Sequence, residues 1–205
     1  MKRALCDKCT SKSCSSGLID KLSEECPTMV FRDLVEKSLE IALKPEVKKL
    51  LVAASLVEKR GYCEWPRLRE VAEFAKLIDA EKIGLAFCIG LSNEALAVAD
   101  YLRRKGFQVF SVCCKCGAID KSRLGLGEED KLRKGFEAMC NPVLQALILN
   151  KLNTNLNITV GLCVGHDAVF TKISKAPVVC LIAKDRVTGH NPALALYVPY
   201  LRRRL

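Results

Sequence analysis

Aromatic side chains make up only 6% of this 205-residue chain, and tryptophan occurs once. A module that stacks nucleic-acid bases on aromatic rings needs more of them, which argues against nucleic acid as a partner. Histidine is rarer still. His166 and His190 are the only two, too few to build a histidine-rich metal site. Long apolar runs are also missing. Runs such as Ala176 to Ala183 span eight residues, and none approaches the ~18 that a membrane-spanning helix needs. The start, Met1-Lys2-Arg3-Ala4-Leu5-Cys6, is basic but leads into no apolar stretch, so it does not read as a secretory signal. There is no Gly-x-Gly-x-x-Gly, no P-loop lysine motif and no Gly-x-Ser-x-Gly. These absences predict a cytoplasmic protein with no membrane segment and no familiar catalytic motif.

What is present is a core and an excess of cysteine. Half the residues are hydrophobic and 27% are charged, enough to bury a sizeable interior. Lys plus Arg is 33 against 23 Asp plus Glu, a net charge of +10. The positive charge is spread out except for Arg202-Arg203-Arg204, read as a solvated tail. Twelve residues are cysteine, about 6%, below the roughly 8–10% of a small disulfide scaffold. In a reducing compartment they read as metal ligands or reactive thiols rather than as disulfides.

Three stretches differ in pattern. Residues 1–27 are Cys-, Ser- and Lys-rich without apolar periodicity and read as a metal-binding segment. Residues 28–80 carry apolar side chains at helical spacing, as in Val30, Leu34, Val35 and Leu39 and again in Val47, Leu50, Leu51 and Ala54. From residue 81 to 205 short apolar runs alternate with helical segments. Ile83–Gly90, Phe107–Cys114, Ile158–Val164 and Pro177–Ala183 are predicted strands. Between them a helix is predicted after Ser92 or Asn93 as its cap, another from Asn141 to Leu152, and a third from His166 to Ser174. Such alternation predicts an α/β fold, an open and mostly parallel sheet with helices on both faces. Residues 115–140 form a long connection rich in charge and glycine, expected to act as a lid, with a short helix over Glu128–Lys134.

Two groups of cysteines invite chemistry. Cys6, Cys9, Cys14 and Cys26 place four thiols within 21 residues. A Cys-x-x-Cys turn lets two sulfurs converge on one metal or on one cluster, and the closing Cys-Pro suits iron–sulfur ligation as well as zinc. The second group emerges from topology. Ligands of open α/β sheets bind beyond the carboxyl ends of the strands, and that is where Cys88, Cys114 and Cys163 fall, with Cys140 at the start of the helix after the lid. These four are the expected cofactor-binding residues. Adjacent Cys113 and Cys114 point to opposite faces of a strand, so one of them at most joins the site. Cys180, in mid-strand, and Cys63 read as small buried hydrophobes. Lys115, His166 and Asp167 are the candidate catalytic residues, for thiolate stabilisation and proton transfer. The turn Gly165-His166-Asp167 is expected to aim backbone N–H groups at an anion. The segment Lys184 to Pro192 adds Asp185, Arg186, His190 and Asn191 at another strand end.

The segments Phe87–Ser92, Ser111–Lys115, Phe136–Pro142, Val160–Asp167 and Lys184–Pro192 together resemble the family catalogued as domain of unknown function 1847. That family is described as a predicted metal-binding family of bacteria and archaea. The resemblance extends to Cys63-Glu64-Trp65 and the cysteine-rich start. It implies metal binding and supplies no activity. Cys116 departs from it, standing where a small or apolar residue is expected. Two functions remain open. One is a redox or sulfur-transfer protein with an iron–sulfur cluster at the sheet edge, acting on a small molecule or an electron-transfer partner. The other is a zinc-binding regulatory or carrier protein without turnover.

Overall fold

The computed structural model describes residues 4–205; Met1, Lys2 and Arg3, the basic start noted above, lie outside the described residues. The chain divides into two compact units, the first ending at Leu56 and the second running from Val57 to Leu205. The first unit opens with 3₁₀ turns at Cys6–Lys8, Ser13–Ser16 and Ile19–Lys21. Helices α1 (Pro27–Val30) and α2 (Arg32–Ala42) follow, then most of α3 (Pro45–Gly61). Pro27 and Pro45 each open a helix, where a missing N–H costs nothing.

The second unit is the α/β fold. Strands β1 (Lys82–Phe87), β2 (Gln108–Cys113), β3 (Leu156–Val160) and β4 (Val178–Ile182) form one sheet in the order β2-β1-β3-β4. All three pairings are parallel. Helices α4 (Arg67–Leu77), α5 (Ser92–Arg104), α6 (Pro142–Lys151) and α7 (His166–Ile173) surround it, and α8 (Leu194–Tyr197) and α9 (Pro199–Arg202) close the chain. The chain leaves β1 for β2 in one direction and then crosses back to β3 and on to β4. Right-handed crossovers therefore put α5 on one face and α6 and α7 on the other. The second face is filled by Ala86, Val112, Ala146, Leu149, Leu162 and Phe170. The strand order reverses beside β1, so its carboxyl end marks the crevice where such folds bind ligands.

The central strand β3 is buried along its whole length, although it carries Asn157 and Thr159. Asn157 is tolerated because it is fully bonded. Its Oδ1 accepts from Thr154 Oγ1 at 2.8 Å and its Nδ2 donates to Ser174 Oγ at 2.8 Å. Its neighbour across the ladder is Gly84. A Cβ there would overlap Asn157 Oδ1 and approach Leu149 Cδ1 to 2.7 Å. The glycine thus lets α6 close onto the sheet over a polar side chain.

Four local expectations need correction. Neither Ser92 nor Asn93 caps α5. A 3₁₀ turn at Ile89–Leu91 runs straight into the helix, and Ser92 Oγ donates back to Ile89 O at 2.6 Å. Cys180 is exposed rather than buried, because β4 is an edge strand with one open side. Cys63 is exposed too, in a left-handed turn with φ of 58°. The charged stretch Glu128–Lys134 forms only a 3₁₀ turn at Glu128–Asp130.

Candidate thiol site at the carboxyl edge of the sheet

Backbone hydrogen bonds bring the strand-end cysteines to one place. Cys88 follows β1, and its N–H donates to Val160 O at the end of β3. Cys114 follows β2, and its N–H donates to Phe87 O at the end of β1. The N–H of Asn141, next to Cys140, donates to Cys114 O at 2.7 Å. Asn141 also caps α6 by accepting from Leu144 N at 2.9 Å, so the residue that starts the helix also anchors Cys140. Behind these ends lies Gln145, fully buried on α6. Its Nε2 donates to Val112 O at 2.7 Å and to Phe87 O at 3.2 Å, tying β1 to β2 just before the cysteines, while its Oε1 has no partner among the described residues. Sequence reasoning passed over Gln145, since a glutamine in an apolar helix carries no motif.

Cys88, Cys114 and Cys140 form one interacting trio. Hydrogen bonding with Cys114 is the main cause that pulls Cys88 down to about 5, against the opposing effect of burial. The same partner pulls Cys140 down to about 5, with further help from the charges of Lys115 and His166. Cys114 is pushed far above the ordinary thiol range by hydrogen bonding with Cys140 and Cys88 and by burial. Cys114 therefore keeps its proton, and because a thiol has only one, it serves one neighbour at a time. Ile89 N donates to Cys114 Sγ at 3.3 Å.

Cations surround the trio. Lys184 Nζ lies 3.6 Å from Cys88 Sγ, and Arg186 Nη2 lies 3.2 Å from Cys163 Sγ. The charges of Cys88 and Cys140 also act on Arg186, which places Cys163 and Arg186 at the same crevice. Lys115 Nζ donates to Ala138 O in the lid. His166 stands at the first position of α7.

Other candidates lie elsewhere. Asp167 Oδ1 accepts from Ala168 N of its own helix. The backbone N–H groups of His166 and Asp167 both donate to Cys163 O, at 2.9 and 3.2 Å. They are thus spent on closing the turn and do not point at an anion, contrary to expectation. Cys116 packs against the core below the site, and burial raises it. Cys113 Sγ accepts from Lys115 N at 3.5 Å. Cys6, Cys9 and Cys14 are exposed, and Cys26 precedes α1 half-buried. Cys9 Sγ accepts from Lys12 N at 3.4 Å, which lowers its pKa. Among the described residues every cysteine is a free thiol, and no group of three or more His, Cys, Asp or Glu is placed to hold a metal ion.

The connection from β2 to α6 is held by its own polar network. Asp120 and Ala138 bridge in antiparallel fashion. Lys131 Nζ meets Glu128 Oε1 at 2.6 Å and Asp120 Oδ1 at 3.2 Å, and donates to Gly135 O at 2.8 Å. Glu137 meets Lys121 Nζ at 2.8 Å and accepts from Leu132 N at 2.7 Å. The Ser122 N–H and its neighbours hold Asp120 well below the usual carboxylate range. Lys131→Met removes the cation that joins these parts. We expect limited proteolysis within 121–137 to become several-fold faster while circular dichroism stays unchanged. An unaltered cleavage rate would show that the loop does not depend on this cation.

The second unit is thus an open, parallel α/β fold with Cys88, Cys114 and Cys140 gathered at its carboxyl edge. The chain belongs to the family described as protein of unknown function (DUF1847), whose model matches residues 26–181. It is similar to an uncharacterised protein of Methanocaldococcus jannaschii, 44% identical over 200 residues that cover 98% of this chain and 97% of that one. No solved structure matches the chain. Among the described residues no helix is long and apolar enough to cross a membrane.

Proposed function

We propose that this chain performs thiol chemistry, of the redox or sulfur-transfer kind, at Cys88, Cys114 and Cys140. The observation that carries this reading is the convergence of Cys88, Cys114 and Cys140 from three separate segments, through the bonds of Cys88 N to Val160 O, Cys114 N to Phe87 O and Asn141 N to Cys114 O. Hydrogen bonding among the thiols favours a protonated Cys114 between two acidified neighbours. A nucleophilic thiolate beside a second thiol is the minimal apparatus for exchange. In that exchange the thiolate of Cys88 or Cys140 attacks an electrophilic sulfur of a substrate disulfide. A mixed disulfide forms, and the substrate's other sulfur leaves as a thiolate. Cys114 then passes its proton to the remaining thiolate of the trio and attacks the bonded protein sulfur, so that the internal disulfide forms and the substrate's second sulfur leaves as a thiolate. Lys115 and His166 supply positive charge beside Cys140. The result is one substrate disulfide reduced to two thiolates and one protein disulfide formed.

A second reading is supported by the donor set. Cys88, Cys114, Cys140 and Cys163 are four soft thiols from four chain segments, and Ile89 N–H and Arg186 already donate to two of the sulfurs. Such donors suit an iron–sulfur cluster, whose supply of one-electron chemistry is tuned by hydrogen bonds to sulfur. Cys6, Cys9, Cys14 and Cys26 are not gathered around one point in this fold, so they would have to close on a second cluster or a zinc ion as it binds, and zinc there alone would fit a regulatory or carrier role.

The deciding experiment is anaerobic purification followed by iron, sulfide and zinc analysis and by peptide mapping after mild oxidation. The thiol reading expects colourless protein that forms an internal disulfide within the trio, lost in Cys114→Ser. Brown protein whose iron and sulfide disappear in Cys114→Ser overturns it in favour of the cluster. Zinc lost only in the Cys6→Ser/Cys9→Ser double variant would assign the metal to the first segment.

A further inference from the structure

Lys184 and Arg186 leave β4 two residues apart, and both reach sulfurs of the crevice, Cys88 and Cys163. Asp185 between them turns away. Its Oδ1 accepts from Val187 N at 2.9 Å and Thr188 N at 3.1 Å, and its own N–H donates to His190 Nδ1 at 3.1 Å. His190 N returns the contact by donating to Asp185 O at 2.8 Å. The turn is closed on itself, so the two cations are held in place before any ligand arrives. Among the described residues no carboxylate lies within ion-pair distance of Lys115, Lys184 or Arg186. Gly90 faces the gap. A Cβ there would stand 3.3 Å from Lys184 Nζ and 3.9 Å from Cys88 Sγ, so glycine keeps this approach open. Arg186 is exposed and Cys163 beside it is half-buried, so this end of the crevice is reachable from solvent.

We propose that Lys184 and Arg186 form the binding site for the oxyanion group of a small-molecule substrate, seated beside Cys88 and Cys163. The proposal rests on the reading of the cysteine trio as the reactive centre. A guanidinium offers two parallel N–H donors to an oxyanion, and an ammonium adds a compact charge from another side. The turn at Gly165 does not do this work, because the N–H groups of His166 and Asp167 are spent on Cys163 O. Recognition of charge thus falls to side chains, and the substrate class is a small phosphate-, sulfate- or carboxylate-bearing molecule. The anion would bring its reactive part against the acidified thiol of Cys88.

The test uses the full chain, reduced and freed of metal. Inorganic phosphate, inorganic sulfate and acetate are the probes, each against sodium chloride at equal ionic strength. Binding is followed by calorimetry, and the alkylation of Cys88 by neutral iodoacetamide is followed by peptide mass. At least one oxyanion should bind saturably and slow Cys88 several-fold, and the Lys184→Gln/Arg186→Gln double variant should lose both effects with its circular dichroism intact. The three probes separate a phosphate or sulfate head from a carboxylate. Absence of saturable binding by all three, equal slowing by chloride, or protection that persists in the double variant would each overturn the proposal. The double variant retains Cys88, Cys114 and Cys140, so disulfide formation within the trio can be scored separately. In the unaltered chain, absence of anion binding with disulfide formation intact condemns this inference alone, whereas anion binding with an inert trio condemns the thiol reading.

Discussion

Between about pH 6 and 7, where an ordinary thiol near 8.5 is almost wholly protonated, whichever of Cys88 and Cys140 the Cys114 proton serves should alkylate at nearly its full rate, and the other should still react faster than an ordinary thiol. Both are pulled down to about 5, chiefly by hydrogen bonding with Cys114. Cys114 itself should stay unreactive far above that range, since its two neighbours and burial hold its proton in place. The rate of iodoacetamide modification at each cysteine, read by peptide mass from about pH 4 to 9 in metal-free reduced protein, gives three separate profiles. Midpoints of Cys88 and Cys140 near the ordinary thiol value of about 8.5 would defeat the electrostatic picture of the site. Cys114→Ala removes the shared donor, so both midpoints should move up. Residual lowering then measures Lys184 at Cys88, and Lys115 with His166 at Cys140.

The same shifts have a sign for stability. A thiol whose folded pKa is depressed favours the folded state above its unfolded pKa. That contribution falls away as pH drops from about 8.5, the ordinary thiol value, and is gone below about 5, the folded value. Acidification should therefore loosen the carboxyl edge of the sheet first, around β1, β2 and the start of α6. Hydrogen exchange of the Cys88 and Cys114 amides against pH would show it, since both amides are bonded across strand ends.

The strand-end convergence of cysteines was legible because parallel topology sends all strands to one edge, and the alternation of apolar runs reveals that topology. β1 and β3 were readable as buried strands for the same reason, though Asn157 shows how a buried strand can hide a polar residue behind a glycine on its neighbour. What the sequence could not reveal is which donors are already occupied. The turn at Gly165 looked like an anion site, yet its N–H groups close on Cys163 O. The segment Lys184 to Pro192 stood out as a strand end, but which of its side chains reach the crevice did not show, and the closed Asp185–His190 turn leaves Lys184 and Arg186 aimed at sulfur. Edge position is equally hidden. Val178–Ile182 reads as apolar as a central strand, but β4 has a partner on one side only, so Cys180 faces solvent. In residues 115–140, charge and glycine suggested a loop, while pairings such as Lys131 with Asp120 join positions that no periodic pattern relates.

Phe170→Ala should be the most damaging core substitution in the second unit. Phe170 is fully buried on α7, with Ala86 from β1, Val112 from β2, Ala146 and Leu149 from α6, and Leu162 in its cluster. Truncation to alanine removes the ring from water-free surroundings and leaves a cavity that small neighbours such as Ala86 and Ala146 cannot fill. Phe→Ala at such sites costs about 3–5 kcal/mol. For a chain of this size each kcal/mol lowers the melting temperature by roughly 2–4 °C, so a drop of order 10 °C is expected. The only tryptophan, Trp65, lies in the same unit and reports its unfolding by fluorescence. Phe170→Leu keeps part of the volume and should cost less. The consequence reaches the site through α7, because His166 begins the helix that Phe170 holds down. Loosening α7 should raise the alkylation midpoint of Cys140 modestly, by weakening the charge of His166 beside it, and leave that of Cys88 unchanged. A stability loss under about 1 kcal/mol, well below the range for buried phenylalanine, would mean that the packing of α7 on the sheet is not what holds this edge of the crevice.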